Sequence, residues 1–298
     1  MQGLLLLNKP AGMTSFAAVA ALKRLAGEKR VGHTGTLDPM ATGVLPVLFG
    51  RATALSGLLL EADKRYTAAI RLGLTTDSDD ITGRVLVEKP VAVTPEQLTQ
   101  TLTDFTGTIL QRPPAYSAIK KDGVRLYRLA REGKSPEVPA RQVTVHAITQ
   151  TSPIHDDHVF TVDVRVSKGT YIRSLARDIG QALGCGACLS SLCRTAASGF
   201  DLSDCVPLDR LTAENIGQYV VSEERAVSHL RAVSVTEKQA VRFCNGGQLA
   251  FERLKLTDPA ENELFRVKFG DTLLGVGRAD ILREEVAIAC VLNRFQGG

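Results

Sequence analysis

Strand-like apolar segments are spread along this chain among helix-like segments, without a regular strand–helix–strand order. The strand patterns cover residues 3–7, 44–49, 65–72, 143–148 and 159–166. A parallel α/β sheet needs a crossover helix after nearly every strand, whereas neighbouring strands of alternating polarity are typical of antiparallel pairing. The sequence therefore predicts an α+β fold with a mixed or antiparallel sheet.

Helix ends are marked by capping residues in two places. Thr14 or Ser15 can cap a helix that ends near Gly27, because both have a side-chain oxygen that accepts from the first turn. Thr94 precedes Pro95, and proline is favoured in the first helical turn. We expect one helix after each of these caps.

The clearest helix spans about residues 170–183, because five apolar side chains fall on one face at the 3.6-residue period. Arg173 lies near the start of this helix, from which its guanidinium can reach a neighbouring cleft. A further helix is predicted around residues 52–61. Residues 74–83 contain several Asp and Thr without apolar periodicity and are predicted to form an exposed loop.

The last part of the chain has a different pattern, with a short helix, a Gly-Gly turn and then closely spaced strands. The strand patterns cover residues 264–269, 273–276 and 286–292. For a chain of 298 residues, this predicts a larger domain over residues 1–232 and a small β-rich domain over residues 233–298.

The sequence lacks the patterns of a membrane span, a signal peptide and a zinc site. No apolar run approaches the roughly 20 residues that cross a bilayer, and the first residues do not resemble a signal peptide. We therefore expect a cytoplasmic protein that is not bound to a membrane, with its six cysteines reduced. Cys185 and Cys188 have C-x-x-C spacing, but no second pair completes a zinc site, so no metal is predicted.

The densest group of candidate functional residues is the glycine-rich segment 32–43. No Gly-Lys-Ser/Thr closes it, so it is not a Walker A loop. Pro39 biases Asp38 towards an extended conformation, and the glycines allow unusual backbone angles. The segment can present one carboxylate as a nucleophile or base. Alternatively, Asp38 and the threonines only satisfy backbone groups of the loop.

A single carboxylate limits the possible chemistry. The only cluster of possible metal ligands, at residues 155–158, lies between two strand patterns and is typical of a hairpin turn. The chain has no G-x-S-x-G elbow of a serine hydrolase, and a glycosidase needs two paired carboxylates, which sequence alone cannot identify. Covalent or base chemistry by Asp38 remains, with its pKa lowered by a cation such as Arg173.

Positive charge is concentrated in two segments, although the whole chain has 36 Lys and Arg against 32 Asp and Glu. Residues 1–65 contain eight bases and four acids, and residues 120–141 contain seven bases and three acids. Both segments can face the phosphates of a nucleic acid, or they can be two solvated faces.

The glycine-rich segment closely resembles the signature of the TruB family, the bacterial tRNA pseudouridine-55 synthases. Further motifs match the family in the same order along most of the chain: Asn8-Lys9-Pro10, Lys64-Arg65-Tyr66, Leu72-Gly73, Pro113-Pro114, Tyr116-Ser117-Ala118, Val138-Pro139-Ala140-Arg141 and Lys168-Gly169-Thr170-Tyr171-Ile172-Arg173. Several separated motifs in order are more specific than one, and the chain is identified as a member of this family.

The resemblance implies an isomerase that converts uridine to pseudouridine in the T-loop of tRNA by base flipping, without a guide RNA or cofactor. It implies that Asp38 is the catalytic carboxylate, that Tyr66 stacks on the flipped base and that Arg173 pairs with Asp38. The other residues that it places at the substrate in the catalytic domain are His33, Lys9, Pro10, Tyr171 and Leu192.

By the same resemblance, residues 120–141 are a thumb segment that closes on the T-arm through Lys120, Lys121, Arg125 and Arg141. The C-terminal domain resembles a divergent PUA-like domain. The resemblance implies tRNA as partner, and we expect a monomer that requires no protein partner. Two alternatives remain open: a tRNA-folding helper that needs no catalysis, and a guide-RNA-dependent relative of the dyskerin type.

Replacing Lys120, Lys121 and Arg125 with Gln is expected to weaken tRNA binding and to reduce its salt dependence. Each lost phosphate contact lowers the slope of log K against log salt by about 0.7–0.9. The affinity for tRNA, measured from about 50 to 300 mM salt, gives this slope. An unchanged slope would mean that these charges do not face phosphate.

Overall fold

The structure is a computed structural model that describes residues 1–117, 120–121, 124–125, 138–293 and 295. For residues 120, 121, 124 and 125 it describes the backbone pairing alone. The predicted thumb segment is therefore described only in part, and Arg128, Arg131 and Lys134 lie outside the described residues.

The described α-helices are α1 (Ser15–Ala26), α2 (Ser56–Leu60), α3 (Pro95–Asp104), α4 (Ile172–Ala182), α5 (Glu237–Cys244) and α6 (Phe251–Leu254). Strands up to residue 207 are β1 (Gly3–Lys9), β2 (Val31–His33), β3 (Thr42–Phe49), β4 (Lys64–Leu72), β5 (Leu74–Thr76), β6 (Val85–Glu88), β7 (Gly107–Gln111), β8 (Lys120–Lys121), β9 (Val124–Arg125), β10 (Arg141–Gln150), β11 (Val159–Val166), β12 (Ala187–Ala197), β13 (Phe200–Asp201) and β14 (Val206–Pro207). The later strands are β15 (Arg231–Ser234), β16 (Leu249–Ala250), β17 (Leu264–Phe269), β18 (Thr272–Asp280) and β19 (Glu285–Val291). Within the described ranges, no helix is long and apolar enough to span a bilayer.

Ten of the described strands form one large sheet. Its order is β14-β1-β3-β12-β4-β11-β10-β7, with β2 paired to β3 and β13 paired to β12. The pairs β1–β14 and β3–β12 are parallel, whereas β12–β4, β4–β11 and β11–β10 are antiparallel. The predicted α+β fold with a mixed sheet is confirmed.

Helices α1 and α4 pack on the same face of the large sheet. Leu22 of α1 and Ile179 of α4 are fully buried in one apolar cluster with Leu45 and Phe160 of the sheet. Full burial of such a side chain stabilises the fold by about 1.5–3 kcal/mol. The segment between β2 and β3 crosses this face, and Leu37 within it is buried in the same cluster.

Strands β15, β17, β18, β19 and β16 form a second sheet in that order, with its own apolar cluster around Phe243 and Phe265. Val276 and Leu292 of this part also pack with Leu4 and Leu48 of the large sheet. The second sheet therefore covers the opposite face of the large sheet from α1 and α4.

Local signals located several elements accurately. Thr14 accepts from the Ala17 amide at the start of α1, and Gly27 ends that helix in the left-handed conformation. Thr94 caps α3, as predicted. Residues 155–158 join β10 to β11 as a hairpin turn, which confirms the turn interpretation.

Two predicted segments differ in the structure. The helix expected over residues 52–61 is a 3-10 helix over Gly50–Leu55 followed by the short α2. The prediction of an exposed loop over residues 74–83 is wrong, because β5 pairs with β6 and Asp80 is buried against β12. The contact of Asp80 with β12, which is far away along the chain, buries this part of the segment, and no local periodicity signals such a contact.

Gly43 is the second residue of β3 and has a φ of +102°. A Cβ added to it would lie 2.2 Å from the Arg194 carbonyl oxygen. Gly43→Ala is therefore expected to lower the free energy of unfolding by about 2 kcal/mol or more, measured by urea denaturation. Gly57 in α2 is the matched control, because nothing lies within 4 Å of its added Cβ. Gly57→Ala is expected to be neutral or stabilising by up to about 1 kcal/mol. Equal stabilities of the two variants would contradict this reading.

Candidate active site

A cavity of about 340 Å³ opens where the β2–β3 segment meets β4, β12 and the start of α4. Five of the residues predicted from the sequence line it together: Asp38, Tyr66, Tyr171, Arg173 and Leu192. They come from four separate parts of the chain. The cavity is of the size that accommodates a small organic group.

Arg173 is the central contact of this cavity. Its Nε lies 2.8 Å from Oδ2 of Asp38, and its Nη2 lies 3.1 Å from Oδ1, so the guanidinium faces both carboxylate oxygens. Nη1 donates to the Ser78 carbonyl at 3.0 Å, and Nη2 donates to the Tyr116 carbonyl at 2.8 Å. The Arg173 side chain is 5% exposed and that of Asp38 is 33% exposed. The buried cation thus holds a carboxylate that remains accessible from the cavity.

Asp80 is a charged group near the site that the sequence interpretation missed. Its Oδ2 lies 3.7 Å from Nη1 of Arg173, on the side away from Asp38. Its Oδ1 accepts from the Ser78 hydroxyl at 2.9 Å and from the Thr82 amide at 3.0 Å. The burial of Asp80 depends on how the 74–83 segment packs against α4, which the local sequence does not show. The run of Asp residues was the only available signal.

The pKa of Asp38 differs from the expectation. Burial raises the pKa of this carboxyl above its usual value, the charge of Arg173 offsets the effect only in part, and the negative charge of Asp80 adds to the increase. The prediction of a lowered pKa is therefore wrong, because it considered the cation without the burial and without the second carboxylate. Asp38 takes up a proton at higher pH than an exposed aspartate.

The start of α4 is held in place by the end of β7. The Gln111 side chain accepts from the Tyr171 amide at 2.8 Å and donates to the Tyr171 carbonyl at 3.1 Å. The Ser174 hydroxyl and the Arg177 guanidinium each donate to the Arg112 carbonyl at 2.9 Å. These contacts fix the position from which Arg173 extends. Burial also raises the pKa of Tyr171, which lines the cavity.

Lys9 lies behind the cavity and supports the segment that contains Asp38. It is fully buried, and its Nζ donates to the carbonyls of Pro10 at 2.8 Å, Met13 at 2.6 Å and Pro39 at 3.3 Å. Burial lowers its pKa to about 8, and the charge of Asp38 counteracts this in part. Pro10 itself is exposed beside it.

Arg194 supports the same segment from β12 and was not among the predicted site residues. Its Nε donates to the Val44 carbonyl at 2.8 Å and its Nη2 donates to the Gly35 carbonyl at 2.9 Å. The residue is 1% exposed and lines the cavity. Its guanidinium therefore connects the two ends of the segment that presents Asp38.

Two further predicted residues, His33 and Arg141, are not among the described residues that line the cavity. His33 is half-buried in β2, burial lowers its pKa, and its Nδ1 has no hydrogen-bond partner among the described residues. Arg141 is exposed at the start of β10. Lys120, Lys121 and Arg125 belong to the paired strands β8 and β9, and their side chains lie outside what the structure describes.

The six cysteines are free thiols. Cys188 is buried and its burial raises its pKa to about 11, so that it is a poor nucleophile at neutral pH. Cys193 lines a second cavity of about 570 Å³ with Lys9 and Pro10. Within the described part of the chain, no three His, Cys, Asp or Glu side chains are grouped to hold a metal ion.

Two family models match the chain. TruB family pseudouridylate synthase (N terminal domain) matches residues 23–172, and tRNA pseudouridylate synthase B C-terminal domain matches residues 173–233. A tRNA pseudouridine synthase B from Azoarcus sp. (strain BH72) is 46% identical over 252 residues, covering 84% of this chain and 83% of the relative. Another from Ralstonia nicotianae is 44% identical over 294 residues, covering 96% of this chain and 93% of the relative.

Solved structures with a similar fold cover nearly the whole chain. The crystal structure of a Cbf5-Nop10-Gar1 complex contains a chain that is 28% identical, with a TM-score of 0.75 over 98% of this chain and 84% of that chain. A second similar chain comes from the structure of an H/ACA RNP bound to a substrate RNA containing 2'-deoxyuridine. It is 25% identical with a TM-score of 0.72, and the match covers 98% of this chain and 85% of that chain. The residues of the sequence motifs form the cavity with its carboxylate–arginine pair, and the matches extend over nearly the whole chain. The chain therefore belongs to the TruB family of pseudouridylate synthases.

Proposed function

We propose that this chain isomerises uridine 55 in the T-loop of tRNA, with Asp38 as its catalytic carboxylate. The family places the chain among tRNA pseudouridine synthases. The supporting observation within the site is that Asp38 is the one carboxylate among the described residues lining the cavity, and that Arg173 faces both of its oxygens. A single oriented carboxylate suits a reaction that needs one nucleophile or base.

The reaction exchanges one bond of the ribose for another. The bond from C1′ to N1 of uracil breaks, the base rotates, and a bond from C1′ to C5 forms. N1 gains a proton and C5 loses one, so that atoms and electrons balance without a redox partner. Asp38 assists the cleavage, by attack on the sugar or base or by removing a ribose proton.

The base must leave the T-loop stack to reach Asp38, which costs a few kcal/mol. Tyr66 of β4 supplies an aromatic face in the cavity, and stacking on it offsets part of that cost. We assign to Tyr66 both the stacking on the flipped uracil and the removal of the C5 proton. Tyr171 and Leu192 complete the walls of the base pocket.

The remaining assignments concern recognition of the whole substrate. In this proposal, His33 enters the T-loop where the base has left. Lys9 with Pro10 supports the catalytic segment, which is defined here as residues 34–44 around Asp38. Arg141 and the thumb residues Lys120, Lys121 and Arg125 face T-arm phosphates. Residues 1–232 form the catalytic domain and residues 233–298 a PUA-like domain. The enzyme acts as a monomer on tRNA in the cytoplasm, without guide RNA or protein partner.

Asp38→Asn is expected to abolish formation of pseudouridine in a T-arm transcript, because the amide can serve neither as nucleophile nor as base. Mass spectrometry of the RNA after incubation with wild-type protein locates the product at position 55, and the variant gives only background. Substantial turnover by the variant would exclude Asp38 as the catalyst. If the wild type binds the transcript without turnover, the protein is a folding helper or requires a guide RNA.

The stability of Asp38→Asn provides the control for this experiment. Since the pKa of Asp38 is raised in the folded state, the wild-type protein loses stability as the pH rises through that pKa. The variant has no such loss, so its melting temperature at pH 7 is expected to be no lower than that of the wild type. A lower value would mean that the carboxylate stabilises the fold at neutral pH.

Asp80→Asn is expected to move the acidic limb of the pH–rate profile to lower pH. Removing the negative charge near Asp38 lowers the pKa of Asp38, so its ionised form persists in more acidic solution. Asp77 is the matched control, because it lies three residues away and pairs with Arg84 rather than with Arg173. Single-turnover rates measured from about pH 5 to about pH 8 distinguish the variants. A limb that stays in place in Asp80→Asn contradicts the coupling.

A further inference from the structure

Phe16 is an exposed aromatic side chain at the start of α1. It is 81% exposed, whereas Phe49, Phe160 and Phe243 are fully buried. Leaving such a ring in water forgoes the roughly 1.5–3 kcal/mol that burial of the side chain would contribute in general. Neither the fold nor the cavity described above uses this side chain.

The position of Phe16 is tied to the catalytic segment through its neighbour. The Ser15 hydroxyl accepts from the Leu37 amide at 2.8 Å and donates to the Leu37 carbonyl at 3.1 Å. Leu37 directly precedes Asp38. The start of α1 is therefore anchored beside the residue that faces the cavity, and the Phe16 ring lies on the adjoining surface.

The exposed side of α1 continues from Phe16 into small and then basic residues. Ala20 and Lys23 follow Phe16 at spacings of four and three residues and lie on the same helix face. Arg24 adjoins Lys23, and at 1.5 Å per residue these cations lie about 10–12 Å along the helix from Phe16. Both are exposed, and neither forms an ion pair with any described residue.

We propose that this face of α1, defined by Phe16, Ala20, Lys23 and Arg24, is a docking surface for the RNA substrate. An unstacked base of the T-arm stacks on the Phe16 ring, and phosphates of the same strand face Lys23 and Arg24. RNA is the expected partner because this surface continues from the catalytic segment and because its two cations, which form no ion pair with a described residue, complement phosphates. This inference rests on the proposed function, since it takes tRNA as the substrate.

The chain contains no tryptophan, so Phe16→Trp introduces a single fluorescent reporter. Titration with a T-arm stem-loop is expected to quench its emission, whereas a blunt RNA duplex of equal length quenches it weakly. Phe16→Ala is expected to weaken stem-loop binding about 5- to 160-fold, the range for loss of one base-stacking contact. Leu282→Ala is the matched control, because Leu282 is 96% exposed in the turn between β18 and β19 and lies outside the docking surface.

The charge part of the proposal is tested by Lys23→Gln combined with Arg24→Gln. The slope of log K against log salt is expected to fall in magnitude by about 1.4 to 1.8 for two lost phosphate contacts. Unchanged binding in Phe16→Ala, an equal loss in Leu282→Ala, or equal quenching by the blunt duplex would overturn the proposal. Failure of the proposed function is distinct from these outcomes: the wild type would then bind the stem-loop without forming pseudouridine, while the Phe16 effect on binding persists.

Discussion

The ion pair between Arg173 and Asp38 is the contact on which the site depends. The guanidinium also donates from Nη1 to the Ser78 carbonyl and from Nη2 to the Tyr116 carbonyl, so one side chain joins the segment that contains Asp38 to two other segments of the chain. A buried cation is costly unless its charge and donors are satisfied, and Arg173 is faced by the carboxylates of Asp38 and Asp80 as well as by these carbonyls. The same contacts that make Arg173 tolerable inside the protein also orient Asp38 towards the cavity.

Three cations hold the catalytic segment from different directions. Lys9 contacts its far side at Pro39, Arg194 contacts Gly35 and Val44 at its ends, and Arg173 contacts Asp38 in the middle. Lys9 and Arg194 donate to backbone carbonyls, so their charges are not cancelled by carboxylates at these contacts. The segment is thereby held at several points and lies in a positive environment, which suits an enzyme whose substrate is a polyanion.

The arrangement of layers decides which surface is open to that substrate. The second sheet covers one face of the large sheet through Val276 and Leu292. The other face carries α1 and α4, whose N-termini both meet the catalytic segment. In the proposed mechanism, an extruded base approaches Asp38 between these helix ends, with the exposed Phe16 and the basic end of α1 on one side.

Local sequence determined much of this protein. The caps of α1 and α3, the strand over residues 159–166 and the hairpin turn at 155–158 follow from neighbouring residues, whose preferences act over one or two turns of chain. The motifs identified the family and indicated Asp38, Tyr66 and Arg173 as candidate site residues. Burial of Asp80, the Gln111 support of α4 and the raised pKa of Asp38 were decided only by the tertiary structure. Arg173 and Asp38 are 135 residues apart in the chain, and burial and charge at such distances depend on how the sheet and its helices pack.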